Sequence, residues 1–150
     1  MTEVSVPALP SRPDPRSVVL RAAGLVLVAL AVLSLAGRAL GSLPWAEVFP
    51  GGDPMAANTA VCQILLGAGL WLVAGGHWRS ALGAGLVVMG VAAATMLQSV
   101  LGRSFGLDEL LMRHTFPPPM AHPGRMAPNT AAALLLAGGL VALLAQGRGR

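Results

Sequence analysis

Four apolar segments, separated by polar stretches, dominate the pattern of this sequence. They run from Val18 to Leu35, from Ala56 to Ala74, from Ala81 to Leu101 and from Ala131 to Ala145, with Asn129 and Thr130 extending the last. A helix needs about 20 mostly apolar residues to cross the hydrocarbon core of a bilayer. Backbone polar groups must also pair internally there, which favours helices. The pattern therefore predicts an all-α membrane protein with four transmembrane helices.

Composition supports a membrane environment. Only 11% of the residues are charged and 55% are hydrophobic, whereas a soluble domain carries about 25% charged residues. The net charge is +4 and all ten basic residues are arginines. They are scattered singly, without a basic stripe, which argues against nucleic acid as a partner. The bilayer is the expected partner, and Cys62, the only cysteine, excludes a disulfide within the chain.

The flanks of the apolar segments predict the domain limits. Residues 1–17 are polar and rich in proline, typical of a disordered cytoplasmic tail. Residues 18–146 form the predicted membrane domain, and residues 147–150 a second cytoplasmic tail. A cleaved signal peptide is the alternative interpretation of the first segment, because Arg16 and Arg21 precede its apolar core. The long polar stretch before it favours an uncleaved helix.

The distribution of arginine predicts the orientation. With the N-terminus inside, six arginines lie in inner segments, namely Arg12, Arg16, Arg21, Arg79, Arg148 and Arg150. Four lie in outer loops, namely Arg38, Arg103, Arg113 and Arg125. Inner loops carry the excess of basic residues in membrane proteins. Both termini are therefore predicted to be cytoplasmic, with a tight inner turn at Gly75–Arg79.

The chain also contains an internal repeat. Met55–Ala60 reads MAANTA, and Met126–Ala131, 71 positions later, reads MAPNTA. Each copy opens a returning helix, and a Gly-Arg pair, Gly37-Arg38 or Gly102-Arg103, closes the helix before it. Two crossings restore the direction of the chain, so the halves are predicted to be two helical hairpins in a parallel repeat.

Polar residues concentrate near the outer ends of the predicted helices. The candidate ligand-binding residues are Asn58, Thr59, Gln63, Thr95, Gln98, Asn129 and Thr130. Polar side chains in a span usually face the bundle interior, so the four amides among them are expected to converge on one interior site. Two other interpretations stay open: an asparagine at a helix start can accept a free backbone N–H, and polar groups can join helices by hydrogen bonds.

The second outer loop contains a candidate metal-binding set. Its members are His114, Met120, His122 and Met126. Imidazole and thioether ligands suit copper. Their spacing matches no compact metal motif, and the prolines at 117–119 indicate an extended path. Metal binding is therefore the weaker hypothesis for this loop.

Two stretches resemble a known group of proteins. The stretch 102–111 (GRSFGLDELL), followed by 123–131 (PGRMAPNTA), resembles the N-terminal membrane region of bacterial sensor histidine kinases and diguanylate cyclases. The resemblance covers about residues 18–146. It implies a membrane-integrated sensory module in the bacterial inner membrane, and a kinase or cyclase would follow in those proteins. This chain is then either a free-standing relative or part of a longer sensor.

The predicted function is therefore signal input without catalytic activity of its own. The expected partners are a second copy of the chain or a separate signalling output protein, and no cofactor is indicated. Two other functions stay open. The chain could be a small structural subunit of a membrane complex, or a component that transports a small molecule or a metal.

Overall fold

The computed structural model describes residues 14–46, 54–103, 106 and 126–149, and all regular elements in this part of the chain are helices. They are α1 (Pro15–Ala39), α2 (Leu43–Ala46), α3 (Ala57–Ala74), α4 (Trp78–Leu101) and α5 (Pro128–Arg148). All except the short α2 are long and apolar enough to cross a membrane. The prediction of an all-α fold is thus confirmed for the described residues, as is the prediction of four helices with the length and apolarity of membrane spans.

The first and last helices extend a few residues beyond the predicted membrane domain. Helix α1 begins at Pro15, because Asp14 caps it: its Oδ1 accepts the backbone N–H of Arg16 at 3.1 Å. Proline suits the first helical position, since its missing N–H has no partner there anyway. Residues 15–17 are thus helical. At the other end, α5 continues through Gly147 and Arg148. Residues 1–13 and 150 lie outside the described residues.

The two Gly-Arg pairs do not close their helices in the same way. Gly102 ends α4 in a left-handed conformation, with φ +61°, as the sequence predicts. Gly37 and Arg38 instead lie within the last turn of α1, which continues to Ala39. The reason is a close contact: a Cβ at Gly37 would collide with the backbone of α2. Gly37 is needed for packing rather than for ending the helix.

Helix α3 is the central element of the bundle. It packs against α1 on one side and against α4 and α5 on the other, while α4 and α5 pack closely on each other. Among the described helices, no Cα atom of α1 lies within 8 Å of one in α4 or α5. The turn between α3 and α4 is short, as predicted, and Gly76 adopts φ +78° within it. We call the end of the bundle at this turn the inner end and the opposite end the outer end.

Glycines bring the helices close together near the middle of their length. A Cβ at Gly67 would lie 2.5 Å from the carbonyl oxygen of Gly24, and a Cβ at Gly85 would lie 2.7 Å from that of Gly138. Such contacts between small residues are typical of membrane helices, where dispersion forces and polar bonds must drive association. Large side chains such as Leu25, Leu86 and Leu136 face outward on α1, α4 and α5, where they suit contact with lipid.

Candidate functional site

Six buried polar side chains occur near the outer ends of α1, α3 and α4. They are Ser34, Arg38, Asn58, Thr59, Thr95 and Gln98, each with at most 6% of its surface exposed. We call this set the outer polar layer. Burying polar groups away from water costs free energy unless they find partners. The partners of these side chains therefore decide what the layer does.

Arg38 connects the end of α1 to the residues directly before α3. Its Nε donates to the carbonyl of Met55 at 2.6 Å, and its Nη2 donates to the carbonyl of Pro54 at 3.2 Å. The side chain is 3% exposed. The guanidinium carries five N–H donors in a fixed planar arrangement, which allows one side chain to bind two successive carbonyls. Arg38 thus fixes the backbone that leads directly into Asn58.

Helix α2 is held over the same end of α1. The Ala46 carbonyl accepts from the Ser34 hydroxyl and from the Met55 N–H, both at 3.1 Å. One carbonyl has two lone pairs and can accept both bonds. Together with the close contact at Gly37, these bonds join α1, α2 and the residues before α3 into one unit at the outer end.

Asn58 lies buried in the first turn of α3, three residues after Met55, and one half of its amide is satisfied. Its Oδ1 accepts the Thr59 N–H at 2.9 Å, while the N-cap position itself is occupied by Ala56. The asparagine therefore satisfies a free N–H of the first turn, but from inside the helix. This bond fixes the orientation of the amide. Its Nδ2 is buried, and among the described residues it has no hydrogen-bond partner.

Asn129 has the same local geometry and a different environment. Its Oδ1 accepts the Thr130 N–H at 2.9 Å, as in the first copy. The Asn129 side chain is exposed, and Thr130 is half-buried. The expectation that Asn129 faces the bundle interior is wrong. Helix α3 is surrounded by neighbours, whereas α5 lies at the side of the bundle.

The remaining amides lie at different levels. Gly69 of α3 lies beside Ala84 of the antiparallel helix α4. Asn58 is eleven positions from Gly69 towards the outer end, and Thr95 is eleven positions from Ala84 in the same direction. Asn58 and Thr95 therefore lie at the same level of the bundle. At 1.5 Å per residue, Gln63 and Gln98 are separated by about 12 Å along the bundle. The predicted convergence of four amides on one site is therefore wrong.

Gln63 and Thr95 also differ in their hydrogen-bond partners. Gln63 is partly buried, and its Oε1 has no hydrogen-bond partner in the described part of the chain. Thr95 donates to the Val91 carbonyl of its own helix at 3.0 Å. Such a bond to the preceding turn is a common way to satisfy a hydroxyl within a span. Asn58 thus remains the candidate residue with a buried donor that no described residue accepts.

Of the candidate metal-binding residues, Met126 is described. It is 1% exposed and belongs to the hydrophobic core, together with Cys62, Leu66 and Leu134. His114, Met120 and His122 lie outside the described residues. Within residues 14–46, 54–103, 106 and 126–149, no three His, Cys, Asp or Glu side chains group together as a metal site.

Ser34 and Arg38 were missed as site residues by sequence reasoning. Arg38 was assigned to the outer loop, although it lies inside α1. The sequence has no signal that separates this arginine from Arg103, since both follow a glycine at the end of an apolar run and only Arg38 is buried.

Comparisons with known proteins identify no relative. No protein-family model matches the chain, no curated protein matches it, and no solved structure is significantly similar to it. The resemblance to bacterial sensor proteins therefore stays a prediction.

Proposed function

We propose that this chain is a membrane-embedded sensory module without catalytic activity of its own, and that the outer polar layer is its input site. The observation that carries the proposal is the Asn58 amide, whose Nδ2 is buried and unpaired within the described residues. The layer, as defined, contains no carboxylate and no histidine, so it lacks a group suited to acid–base catalysis.

The free donor defines the class of ligand. A buried polar group without a partner costs about 1–3 kcal/mol, so an acceptor that reaches Asn58 Nδ2 recovers that free energy. The proposed ligand is a small molecule with a carbonyl or carboxylate oxygen. A buried water is the alternative occupant of a polar site of this kind.

The way the outer loop is attached suggests how binding is transmitted. Arg38 and Ser34 hold residues 46, 54 and 55 by side-chain hydrogen bonds to backbone carbonyls. A ligand at Asn58 that competes for these donors would release the loop from α1. Ligands change a conformation only when they bind one state better than another. The proposed two states are the loop bound to Arg38 and the loop released from it.

The finer fold that we propose is a parallel repeat of two helical hairpins. Two observations support it. The N-cap residues Ala56 and Ala127 have nearly the same backbone angles, −60° and 142° against −62° and 143°. The glycines that contact the preceding helix, Gly67 and Gly138, each follow the repeated asparagine by nine positions. Superposing α1 and α3 on α4 and α5 tests the repeat beyond these points.

We also propose a location in the bacterial inner membrane with both termini in the cytoplasm. The arginine distribution supports this orientation. Reporter fusions after residues 78, 115 and 150 test it. A cytoplasmic reporter should be active at 78 and 150, and a periplasmic reporter at 115. Periplasmic activity at 150 would contradict the orientation.

The native thiol provides a test of the sensory function. Cys62 is 1% exposed and lies one helical turn after Asn58, so its rate of maleimide labelling reports opening of the outer end. The full chain in detergent is labelled in the presence of small carboxylates and amides. We expect at least one of these compounds to change the labelling rate of the wild type and of Asn129→Leu, but not of Asn58→Leu.

A role as a structural subunit is the alternative function. The close glycine contacts favour it, because they suit a rigid scaffold. If no compound distinguishes the wild type from Asn58→Leu, and the chain is isolated from native membranes in a fixed ratio with other subunits, the structural role replaces the sensory one.

A further inference from the structure

A groove at the inner end separates α1 from α5. It has a volume of about 710 Å³. Arg16, Val19 and Leu20 of α1 form one wall, Leu144 and Arg148 of α5 the other, and Val73 of α3 lies between them. Because no Cα atoms of α1 and α5 lie within 8 Å of each other in the described helices, the groove is the space left by the one-sided attachment of α1.

The groove combines two positive charges with apolar walls. Arg16 lies in the first turn of α1 and Arg148 in the last turn of α5, so both arginines lie at the inner end of the bundle. Arg148 is held in place, since its Nη1 donates to the Val73 carbonyl at 2.8 Å. One turn further along each helix, away from the inner end, the lining is aliphatic, with Leu20 and Leu144.

We infer that this groove binds an anionic phospholipid, which joins α1 to α5 at the inner end. Arginines bind phosphate through paired N–H donors, and basic pockets between membrane helices are suited to anionic headgroups. The aliphatic walls suit the acyl chains. Both charges lie at the mouth and the apolar surface lies below it, which is the order of groups in a phospholipid. The inference does not depend on the outer polar layer.

The test measures stabilisation of the purified full chain in detergent as lipid is added. The arms are phosphatidylglycerol, phosphatidylcholine and inorganic phosphate, and the thermal unfolding midpoint gives an apparent affinity. We expect phosphatidylglycerol to bind at least about tenfold more tightly than phosphatidylcholine, and phosphate alone to have no effect. Arg16→Gln and Arg148→Gln should each weaken phosphatidylglycerol binding about fivefold, because a basic residue near an anionic surface contributes on that order.

Two further variants make the result decisive. Arg79→Gln removes a different inner-end arginine, one that stacks on Trp78 with 5.0 Å from its Cζ to the ring centroid and does not line the groove. It should leave lipid binding unchanged. Leu144→Trp should fill the groove and weaken binding while both charges remain. Arg16→Gln carries the charge test alone if Arg148→Gln unfolds α5. Equal losses in all three arginine variants, equal binding of both lipids, or a full response to phosphate would each overturn the inference.

Discussion

The two helix starts MAANTA and MAPNTA share their local structure but differ in their surroundings. In both, an alanine is the N-cap and the asparagine accepts the N–H of the following threonine at 2.9 Å. Yet Asn58 is 4% exposed and Asn129 is exposed. The repeated residues determine the backbone and its hydrogen bonds, whereas the neighbouring helices determine whether the amide is in the interior.

A second contrast follows from the first. Arg38, which follows Gly37, is buried and binds the carbonyls of Met55 and Pro54. Arg103, which follows Gly102 in the second Gly-Arg pair, is exposed. The outer end of the first hairpin therefore has a side chain that connects one helix to the next. The comparison indicates that the two helix starts share their local geometry and that only the first of them lies in the outer polar layer.

The largest expected effect comes from removing this buried arginine. Arg38→Met keeps much of the apolar stem and removes both hydrogen bonds to carbonyls. Bonds from charged donors contribute about 1.5–3 kcal/mol each, so we expect a loss of roughly 3–6 kcal/mol in the free energy of unfolding. Arg103→Met is the matched control: this arginine is exposed, where charge interactions contribute about 0–1 kcal/mol, so its loss should be at most about 1 kcal/mol. Unfolding by sodium dodecyl sulfate measures both, and equal losses would remove the contrast.

Sequence reasoning reached the helices but not the environment of each side chain. The four apolar runs gave the spans because the bilayer requires long apolar helices. Because Asp14 caps α1, the helix begins before its apolar run. Burial of Arg38 and exposure of Asn129 could not be predicted, since both depend on which helices pack together. A helical pattern alone does not specify its neighbours, and a repeat suggests equal environments where the bundle provides unequal ones.

Replacing the glycine at each close helix contact should lower the free energy of unfolding by the same amount in the two halves. Gly67→Ala places a Cβ 2.5 Å from the carbonyl oxygen of Gly24, and Gly138→Ala places one 2.8 Å from that of Gly85. The backbones must separate, and overpacking of this kind costs about 1–3 kcal/mol. Gly90→Ala is the control. A Cβ there meets nothing within 4 Å, so this variant should gain up to about 1 kcal/mol from helix propensity. Losses that differ by more than twofold between Gly67→Ala and Gly138→Ala would argue against a shared scaffold.

The two asparagines should respond differently to the same substitution. Asn58→Ala leaves the buried Thr59 N–H without an acceptor, which costs about 1–3 kcal/mol. It also removes the Nδ2, which is unpaired among the described residues, so we expect a net loss at the lower end of this range. Asn129→Ala exposes the Thr130 N–H to water or lipid headgroups, so its loss should stay near 0.5 kcal/mol, the lower limit for capping residues. Detergent unfolding curves of the two variants give the difference directly. If Asn129→Ala is the more damaging change, the second copy must be buried by a partner.

The smallest expected effect tests a contact that only the first hairpin has. Trp71 Nε1 donates to the Arg21 carbonyl at 2.8 Å, and its ring covers Gly24 on α1. The position 71 residues later is Ala142, which has no side-chain donor. Trp71→Phe keeps a ring over Gly24 and removes the bond. Since a typical hydrogen bond has a net value of about 0.5–1.5 kcal/mol, and water or lipid headgroups can reach this half-exposed side chain, we expect a loss below about 1 kcal/mol. Trp71→Ala, which also uncovers Gly24, should lose more. If Trp71→Phe is as damaging as Trp71→Ala, the hydrogen bond rather than the ring packing aligns α1 on α3, and the two hairpins are held together by different means.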